Sequence, residues 1–357
     1  MSNHYFQYIQ RTLTLAKQGW PSVSPNPLVA CVIVSEDKIV AEGFHKKYGE
    51  AHAEVNAINN LPLNINPKDC TLYVNLEPCS HQGKTPPCAD LIISKGFKKV
   101  VICNLDPNPL VAGKGIQKLK TAGIEVITGV LEKEGAELNK RFFTFHTKHR
   151  PFFILKWAQT ADGFISRWPL SENSAENKPH QRIGNEEQQK MTHQMRAEES
   201  AIMVGKNTVL IDNPFLTTRI VKGKNPVRIF IDKNLEVPET FNIYNKESET
   251  IVINGIKQEV KDNIRFIKIN FQENVLKQIA QKLFELKIQS VLVEGGAVLL
   301  NSFIKEKLAD EIFIFENQTL KFDNGIKAPD IALPKSKLKM NDFYLSELQF
   351  RYYREFR

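Results

Sequence analysis

The residues best suited to chemistry are a histidine, a glutamate and two cysteines in the first quarter of the chain. His52 and Glu54, separated by one residue, are followed by Cys79 and Cys88. One His and two Cys form the ligand set of a catalytic zinc site, whose fourth position stays open to water. In the middle of a helix, the side chains of His52 and Glu54 would point about 200° apart. The sequence therefore predicts one catalytic zinc ion per chain, with His52 and Glu54 where the chain enters a helix.

The spacing of these residues is typical of zinc-dependent deaminases. Their signature joins His-x-Glu to Pro-Cys and a second Cys, and its Glu moves protons without binding the metal. The usual second half is Cys-x-x-Cys, whereas eight residues separate Cys79 from Cys88 here. A structural zinc site with His81 as a fourth ligand is the alternative, although such a closed site would not need Glu54.

The segment from Cys79 to Cys88 closely resembles the bifunctional riboflavin-biosynthesis deaminase/reductase family, and the resemblance runs over essentially the whole chain. The motifs Pro25-Asn26-Pro27, Gly43-Phe44-His45 and Asp106-Pro107-Asn108-Pro109 also carry it. The family usually has Gly at the position of Ala30, and it often has His at the position of Ser24. The resemblance implies a cytidine-deaminase-like, three-layer α/β/α domain. Its expected substrate is 2,5-diamino-6-ribosylamino-4(3H)-pyrimidinone 5′-phosphate. The implied substrate contacts are Asn26, His45, Lys84, Asp106 and Asn108.

In the second half, a strand-like run ends in Gly295-Gly296 and opens a helix. Glycines and free helix amides suit a phosphate, although a tight strand–helix turn explains the pair equally well. No Gly-x-Gly-x-x-Gly follows a strand, so a nucleotide site cannot rest on that motif.

The family resemblance implies a dihydrofolate-reductase-like α/β domain that uses NADPH to convert the ribosyl group to ribityl. Lys156 is then expected to polarise or protonate the sugar, and two arginines are expected at its phosphate. Many members have Trp-Ile-Thr where this chain has Arg182-Ile183-Gly184, and Ser is common at the position of His180. The implied substrate contacts are His180, Arg196, Leu216, Arg219 and Glu294. The implied cofactor contacts are Ala158, Arg182, Thr208, Asp212, Gly296, Ala297, Val298, Leu299, Leu300, Asn301 and Ser302.

Alternating strand-like and helix-like segments are expected to position these residues. In the first half, strands are predicted at 28–34, 39–44, 71–75, 100–103 and 124–128. Helical segments are predicted at 5–18, from about 52, from about 88, near 116–121 and at 131–148. In the second half, strands are predicted at 152–157, 201–205, 227–231, 290–294 and 311–315, with a polar loop at 171–181. Such alternation favours a largely parallel or mixed sheet covered on both faces.

Length and composition indicate more than one folded domain. The 357 residues exceed twice the roughly 150 of an average domain, and the predicted domains are 1–148 and 149–357. No apolar run approaches the roughly 18 residues of a membrane-spanning helix, and no secretory signal is visible. We therefore expect a cytoplasmic protein without a membrane partner.

The net charge of +8 is spread over both halves, without a block of five or six like charges. Such a diffuse surplus suits a phosphorylated small molecule as well as RNA, and nucleic acid is the less favoured partner because basic footprints usually cluster. The partner that the family resemblance implies is the phosphoribosyl-aminopyrimidine. An RNA-binding base deaminase and a zinc deaminase with an inactive reductase half are the competing hypotheses. A homo-oligomer is compatible with the sequence.

Overall fold

The computed structural model describes residues 3–80, 86–167, 182–331, 341–345 and 348–354. The chain divides into two compact units, Met1–Arg150 and Pro151–Arg357. The expected boundary between residues 148 and 149 lies beside this division. The polar loop predicted at 171–181 lies outside the described residues.

Unit 1 is built on a mixed sheet with the strand order β2-β1-β3-β4-β5. Strand β1 runs antiparallel to β2 and β3, whereas β3, β4 and β5 are parallel. The strands are β1 (Ala30–Ser35), β2 (Lys38–Phe44), β3 (Thr71–Leu76), β4 (Lys99–Asn104) and β5 (Glu125–Thr128). The helices are α1 (Asn3–Ala16), α2 (Ala53–Asn59), α3 (Cys88–Lys95), α4 (Lys114–Thr121), α5 (Glu132–Leu138) and α6 (Lys140–Lys148).

Alternation along the strands of unit 1 produces two apolar faces. Ile33 and Val74 point to one face, where they pack with residues of α2, α3 and α4. Val32, Tyr73 and Val101 point to the other face, which α1 covers. Helices therefore cover both faces of the sheet, and the predicted three-layer α/β/α architecture is confirmed.

The single helix predicted at 131–148 is wrong, because α5 and α6 are separated at Asn139. Asn139 leaves helical geometry, with φ −107° and ψ 28°. Its side chain accepts the Leu28 N–H at 2.7 Å and donates to the Leu28 carbonyl at 2.9 Å. These bonds connect residues that are 111 positions apart. The hydrophobic periodicity of residues 131–148 therefore cannot reveal the break, because the break depends on a contact with a distant residue.

Unit 2 has a larger sheet, with the strand order β11-β12-β10-β9-β8-β13-β6-β14-β17-β16. The strands from β12 to β14 in this order are parallel, whereas β11, β17 and β16 pair antiparallel to their neighbours. The strands of this sheet are β6 (Phe152–Gln159), β8 (Ala201–Gly205), β9 (Val227–Ile231), β10 (Thr250–Asn254), β11 (Glu259–Lys261), β12 (Ile264–Lys268), β13 (Ser290–Val293), β14 (Glu311–Asn317), β16 (Asn341–Leu345) and β17 (Leu348–Arg354). Two further strands, β7 (Phe164–Ser166) and β15 (Ile326–Lys327), pair with each other in a separate two-stranded sheet. The helices are α7 (Glu186–Glu198), α8 (Lys206–Asp212), α9 (Val275–Glu285) and α10 (Ala297–Lys305).

Apolar clusters lie on both faces of this sheet, as an α/β domain requires. One contains Leu155, Met203 and Val293, and the other contains Val204 and Phe230. Strands β8, β13, β6 and β14 are parallel neighbours, so their carboxyl ends meet at one edge, where such sheets usually bind ligands. The α/β fold class predicted for both halves is confirmed. Throughout the described part of the chain, every helix is too short or too polar to cross a bilayer.

Candidate active sites

Three metal-binding side chains converge in unit 1. His52 is the N-cap of α2, Cys79 follows β3, and Cys88 is the first residue of α3. The Nδ1 atom of His52 lies 3.7 Å from the Cys79 sulfur and 3.4 Å from the Cys88 sulfur. Among the described residues, these three are the group whose ligand atoms all lie within 4.8 Å of one another. His81, the fourth ligand of the alternative structural site, lies outside the described residues.

The separations fit a tetrahedral zinc ion. Zinc bonds are about 2.3 Å long to sulfur and about 2.05 Å to nitrogen. At tetrahedral angles, a sulfur and a nitrogen atom bound to the same zinc ion therefore lie about 3.6 Å apart, close to the two distances from His52. The hydrogen bond from Cys88 lowers the pKa of Cys79, while the same bond and burial raise the pKa of Cys88. Cys79 is thus prepared as the thiolate that metal binding requires. The donor set and its spacing match zinc.

Glu54 lies beside these ligands, in the first turn of α2. Its side chain is buried, with 3% of the residue exposed. Burial, reinforced by the nearby Cys79 thiolate, raises the pKa of Glu54 to about 7. The prediction that His52 and Glu54 lie where the chain enters a helix is confirmed. The result is a proton-accepting group next to a metal-binding cluster.

The predicted substrate residues of unit 1 form two hydrogen-bonded pairs. His45 Nδ1 lies 3.0 Å from the Ala51 carbonyl, and its Nε2 lies 3.1 Å from the Asn26 amide nitrogen. Since a carbonyl only accepts, Nδ1 donates to it and Nε2 accepts from Asn26. Burial lowers the pKa of His45, which favours this neutral form. The His45 and His52 rings meet edge to face, with centroids 5.6 Å apart, so the first pair borders the metal ligands.

The second pair, Asp106 and Asn108, follows β4, the parallel neighbour of β3. Asp106 accepts the Asn108 backbone N–H at 2.8 Å. Burial raises the pKa of Asp106 to about 6, and Glu77 and Cys79 add to the effect by repulsion. Adjacent parallel strands therefore bring this pair to the same edge as Cys79. Lys84, the remaining predicted contact, lies outside the described residues.

Charged side chains gather at the carboxyl edge of unit 2. Glu294 follows β13 and accepts two hydrogen bonds from Arg196, both at 2.8 Å. Lys156, on the neighbouring β6, places Nζ 3.7 Å from Glu294. Burial raises the pKa of Glu294, but Arg196 and Lys156 outweigh it and lower the value to about 2. Burial lowers the pKa of Lys156, against the attraction of Glu294. The three side chains form one buried, charged cluster.

In the structure, the Nε and Nη2 atoms of Arg196 donate to Glu294. Its expected contact with the substrate phosphate stays a prediction. Arg219 is more exposed, and its Nη1 donates to the Thr217 hydroxyl at 3.1 Å. Leu216, with φ +53°, is buried in the same segment. The structure therefore leaves Arg219 as the accessible arginine. His180 lies outside the described residues.

His193 was not predicted from the sequence. The Arg219 backbone N–H donates to its Nδ1 at 3.0 Å, and burial together with Arg196 and Arg219 lowers its pKa. His193 thus connects α7 to the segment that carries Arg219. Its position three residues before Arg196, on the same helical face, is the signal that could have identified it.

The predicted cofactor residues occupy three places in unit 2. Gly296 caps α10, and a Cβ at this position would lie 3.6 Å from the Thr208 hydroxyl of α8. Leu299 and Leu300 are buried in the core, so the parts of α10 that a ligand could reach include its first backbone amides and the exposed Val298 and Asn301. Ala158 lies one residue before the end of β6 and packs against a small cluster that contains Ile183. Arg182 and Asp212 are exposed, Asn301 is exposed, and the Ser302 hydroxyl donates to the Val298 carbonyl at 2.9 Å.

Family models match both units. Residues 2–104 match the cytidine and deoxycytidylate deaminase zinc-binding region, and residues 151–317 match the RibD C-terminal domain. Together with the fold and the His/Cys/Cys cluster, these matches define a zinc-dependent deaminase joined in one chain to an NADPH-dependent reductase.

Whole-length relatives carry the same pairing. The riboflavin biosynthesis protein RibD of Aquifex aeolicus is 45% identical over 316 residues, covering 86% of this chain and 85% of that protein. RibD of Escherichia coli is 34% identical, covering 86% of each. The crystal structure of a diaminohydroxyphosphoribosylaminopyrimidine deaminase/5-amino-6-(5-phosphoribosylamino)uracil reductase from Thermotoga maritima matches with a TM-score of 0.85 and 36% identity, over 99% of each chain. The chain belongs to the RibD family of bifunctional riboflavin-biosynthesis deaminase/reductases.

Proposed function

We propose that unit 1 hydrolytically deaminates 2,5-diamino-6-ribosylamino-4(3H)-pyrimidinone 5′-phosphate. Unit 2 then reduces the ribosyl group of the resulting aminouracil to ribityl with NADPH. The observation that carries the proposal is the convergence of His52, Cys79 and Cys88 beside the buried Glu54. The similar protein from Thermotoga maritima is a deaminase/reductase that combines the same pair of activities, which supports the proposal.

His52, Cys79 and Cys88 would hold the zinc ion, which supplies Lewis acidity that brings the pKa of water near neutrality. Glu54 accepts a proton from the attacking water and delivers it to a ring nitrogen. It then takes the second proton, from the hydroxyl group that the attack forms, and passes it to the amino group, which leaves as ammonia. Burial raises the Glu54 pKa to about 7. The positive charge of a zinc ion at the neighbouring ligands would favour the carboxylate form of Glu54. These opposing influences suit a group that must both take up and release protons near neutral pH.

The two hydrogen-bonded pairs are suited to recognise the polar pyrimidine. His45 is held neutral, with a fixed tautomer, between Asn26 and the Ala51 carbonyl. Asp106 and Asn108 present polar groups from the adjacent strand end. Lys84 is proposed as a further substrate contact on the family resemblance alone.

In unit 2, Lys156 and Glu294 act on the sugar, for which NADPH supplies the hydride. The Lys156 ammonium donates a proton to the sugar oxygen as the ring opens, helped by the burial that lowers its pKa. Arg196 holds Glu294 in place through the bidentate pair, and Arg219 binds the substrate phosphate. The amides at the start of α10, with Thr208 opposite Gly296, are suited to a cofactor phosphate.

A coupled assay tests both activities with one substrate. Ammonia release and NADPH oxidation are followed after adding the phosphoribosyl-diaminopyrimidine, with deaminated product as a second starting point. We expect ammonia before NADPH oxidation from the first compound and NADPH oxidation alone from the second. Failure of either reaction contradicts the corresponding half of the proposal.

We also propose that the protein works in the cytoplasm on small molecules and does not bind nucleic acid. The five cysteines are not joined in disulfides, as a reducing compartment favours. Cell fractionation tests the location. To test for bound RNA, the ultraviolet absorbance of the purified protein at the nucleic-acid maximum is compared before and after nuclease treatment.

A further inference from the structure

Glu77 is a buried carboxylate for which the proposed reaction has no use. It follows β3 and precedes the ligand Cys79 by two residues, with 3% of the residue exposed. Its Oε1 accepts the backbone N–H groups of Gly115 at 2.9 Å and Ile116 at 3.2 Å. Its Oε2 accepts those of Gly113 at 2.9 Å and Asp106 at 3.3 Å. The four donors match the roughly four lone-pair positions of an ionised carboxylate.

These bonds join two parts of the deaminase site. The Glu77 backbone N–H also donates to the Asn104 carbonyl at 2.9 Å, where β4 ends. The segment 106–116 carries Asp106 and Asn108 and then enters α4, whose first amides Glu77 satisfies from outside the helix. One side chain thus connects the metal-binding segment to the segment proposed to contact the substrate.

Gly113 and Gly115, at the start of α4, are required for the close approach between this segment and the segment that contains Cys79. Gly113 has φ +78°, a conformation that favours glycine. A Cβ at Gly115 would collide with the carbonyl oxygen of Pro78, so α4 begins directly against the segment that contains Cys79. The close approach and the four hydrogen bonds hold the two segments in one relative position.

We infer that Glu77 is a positioning residue of the deaminase, which fixes the segment carrying Asp106 and Asn108 relative to the segment carrying Cys79. This inference rests on the proposed roles of Asp106 and Cys79. A carboxylate is required because it only accepts hydrogen bonds. An amide in its place would turn an NH₂ group toward two N–H donors.

Glu77→Gln tests this role because it keeps the size of the side chain. Zinc content should be retained, since all three ligands remain. We expect kcat/KM for deamination, per bound zinc, to fall about 10- to 100-fold, mainly through KM, because the substrate segment shifts. Reduction of deaminated substrate should be unchanged. Gly115→Ala, which disturbs the same contact from the other side, should give the same pattern and decides the matter if Glu77→Gln does not fold.

Two controls separate positioning from stability. Glu42→Gln makes the same chemical change at a carboxylate on β2 that pairs with Arg11. Leu13→Ala destabilises the buried face under α1 without touching Glu77. Both should keep kcat/KM within about two-fold of wild type when assayed well below their unfolding temperatures. The inference is overturned if Glu77→Gln also stays in that range or if Leu13→Ala causes the same loss.

Hydrogen exchange measured by mass spectrometry provides a readout that does not need activity. Backbone amides of residues 106–116 should exchange faster in Glu77→Gln than in wild type, and not in Glu42→Gln. Unchanged exchange of these amides in Glu77→Gln would overturn the inference even if the deaminase activity of the variant falls. A wild-type protein that binds no zinc and releases no ammonia would instead contradict the proposed function.

Discussion

Replacing Glu294 with Gln should destabilise unit 2, because Glu294 is the acidic partner shared by two buried cations, Arg196 and Lys156. The net effect of burial and these two neighbours lowers the Glu294 pKa from 4.5 to about 2, which corresponds to roughly 3 kcal/mol. Removing one partner of a buried ion pair typically costs about 3–5 kcal/mol. Both approaches therefore predict a loss of about 3 kcal/mol.

The loss should depend on pH in a defined direction. The folded-state pKa of Glu294 lies below its unfolded value, so its contribution is fully present above about pH 4.5. It disappears as the pH falls toward 2. The difference in unfolding free energy between wild type and Glu294→Gln should be constant from pH 7 to about 5.5 and narrow below 4.5.

The difference in unfolding free energy is measured by urea unfolding. Hydrogen exchange in peptides of β6 and β13 reports the unfolding of unit 2. Glu236→Gln is the matched control, because Glu236 pairs with Lys206 at the surface, where such pairs contribute little. A Glu294→Gln loss below about 1 kcal/mol, or one equal to that of the control, would refute the reasoning.

Three further predictions concern both units. Cys79→Ser and Cys88→Ser should each lose zinc from a wild-type content of one ion per chain; metal analysis that finds unchanged stoichiometry in both would contradict the ligand assignment. Arg219→Ala should raise KM for the phosphorylated substrate about 10- to 150-fold, the equivalent of about 1.5–3 kcal/mol for a charge-assisted hydrogen bond, and leave KM for NADPH unchanged; steady-state kinetics with an unchanged substrate KM would remove Arg219 from the site. Asn139→Ala should cost about 1–3 kcal/mol in urea unfolding because the Leu28 N–H loses its partner, and a neutral effect would contradict that role.

The deaminase cluster could be predicted from sequence because its chemistry is carried by residue types. His52, Cys79 and Cys88 offer a zinc ligand set, and Glu54 has the spacing that a helix entrance requires. The structure brings the three ligand atoms within 4.8 Å of one another. Alternating apolar segments likewise predicted most of the strands that support the two sites.

Features that depend on tertiary contacts could not be predicted in the same way. The break at Asn139 is made by Leu28, and the fork between Arg196 and Glu294 joins residues 98 positions apart. Helix α8 is too short for periodicity to reveal. Strand β10, in contrast, contains the buried run Ile251–Ile253 and was missed although the signal was present.

The central claim is that the chain contains two separate active sites and that Glu54 transfers the proton in the first. Glu54→Gln keeps the size of the side chain and all three proposed zinc ligands, so zinc content should be unchanged. Ammonia release should fall about 10²- to 10⁴-fold, as expected for the loss of a general acid–base. NADPH-dependent reduction of already deaminated substrate should continue at the wild-type rate. Normal ammonia release by this variant, or a parallel loss of reduction, would contradict the account.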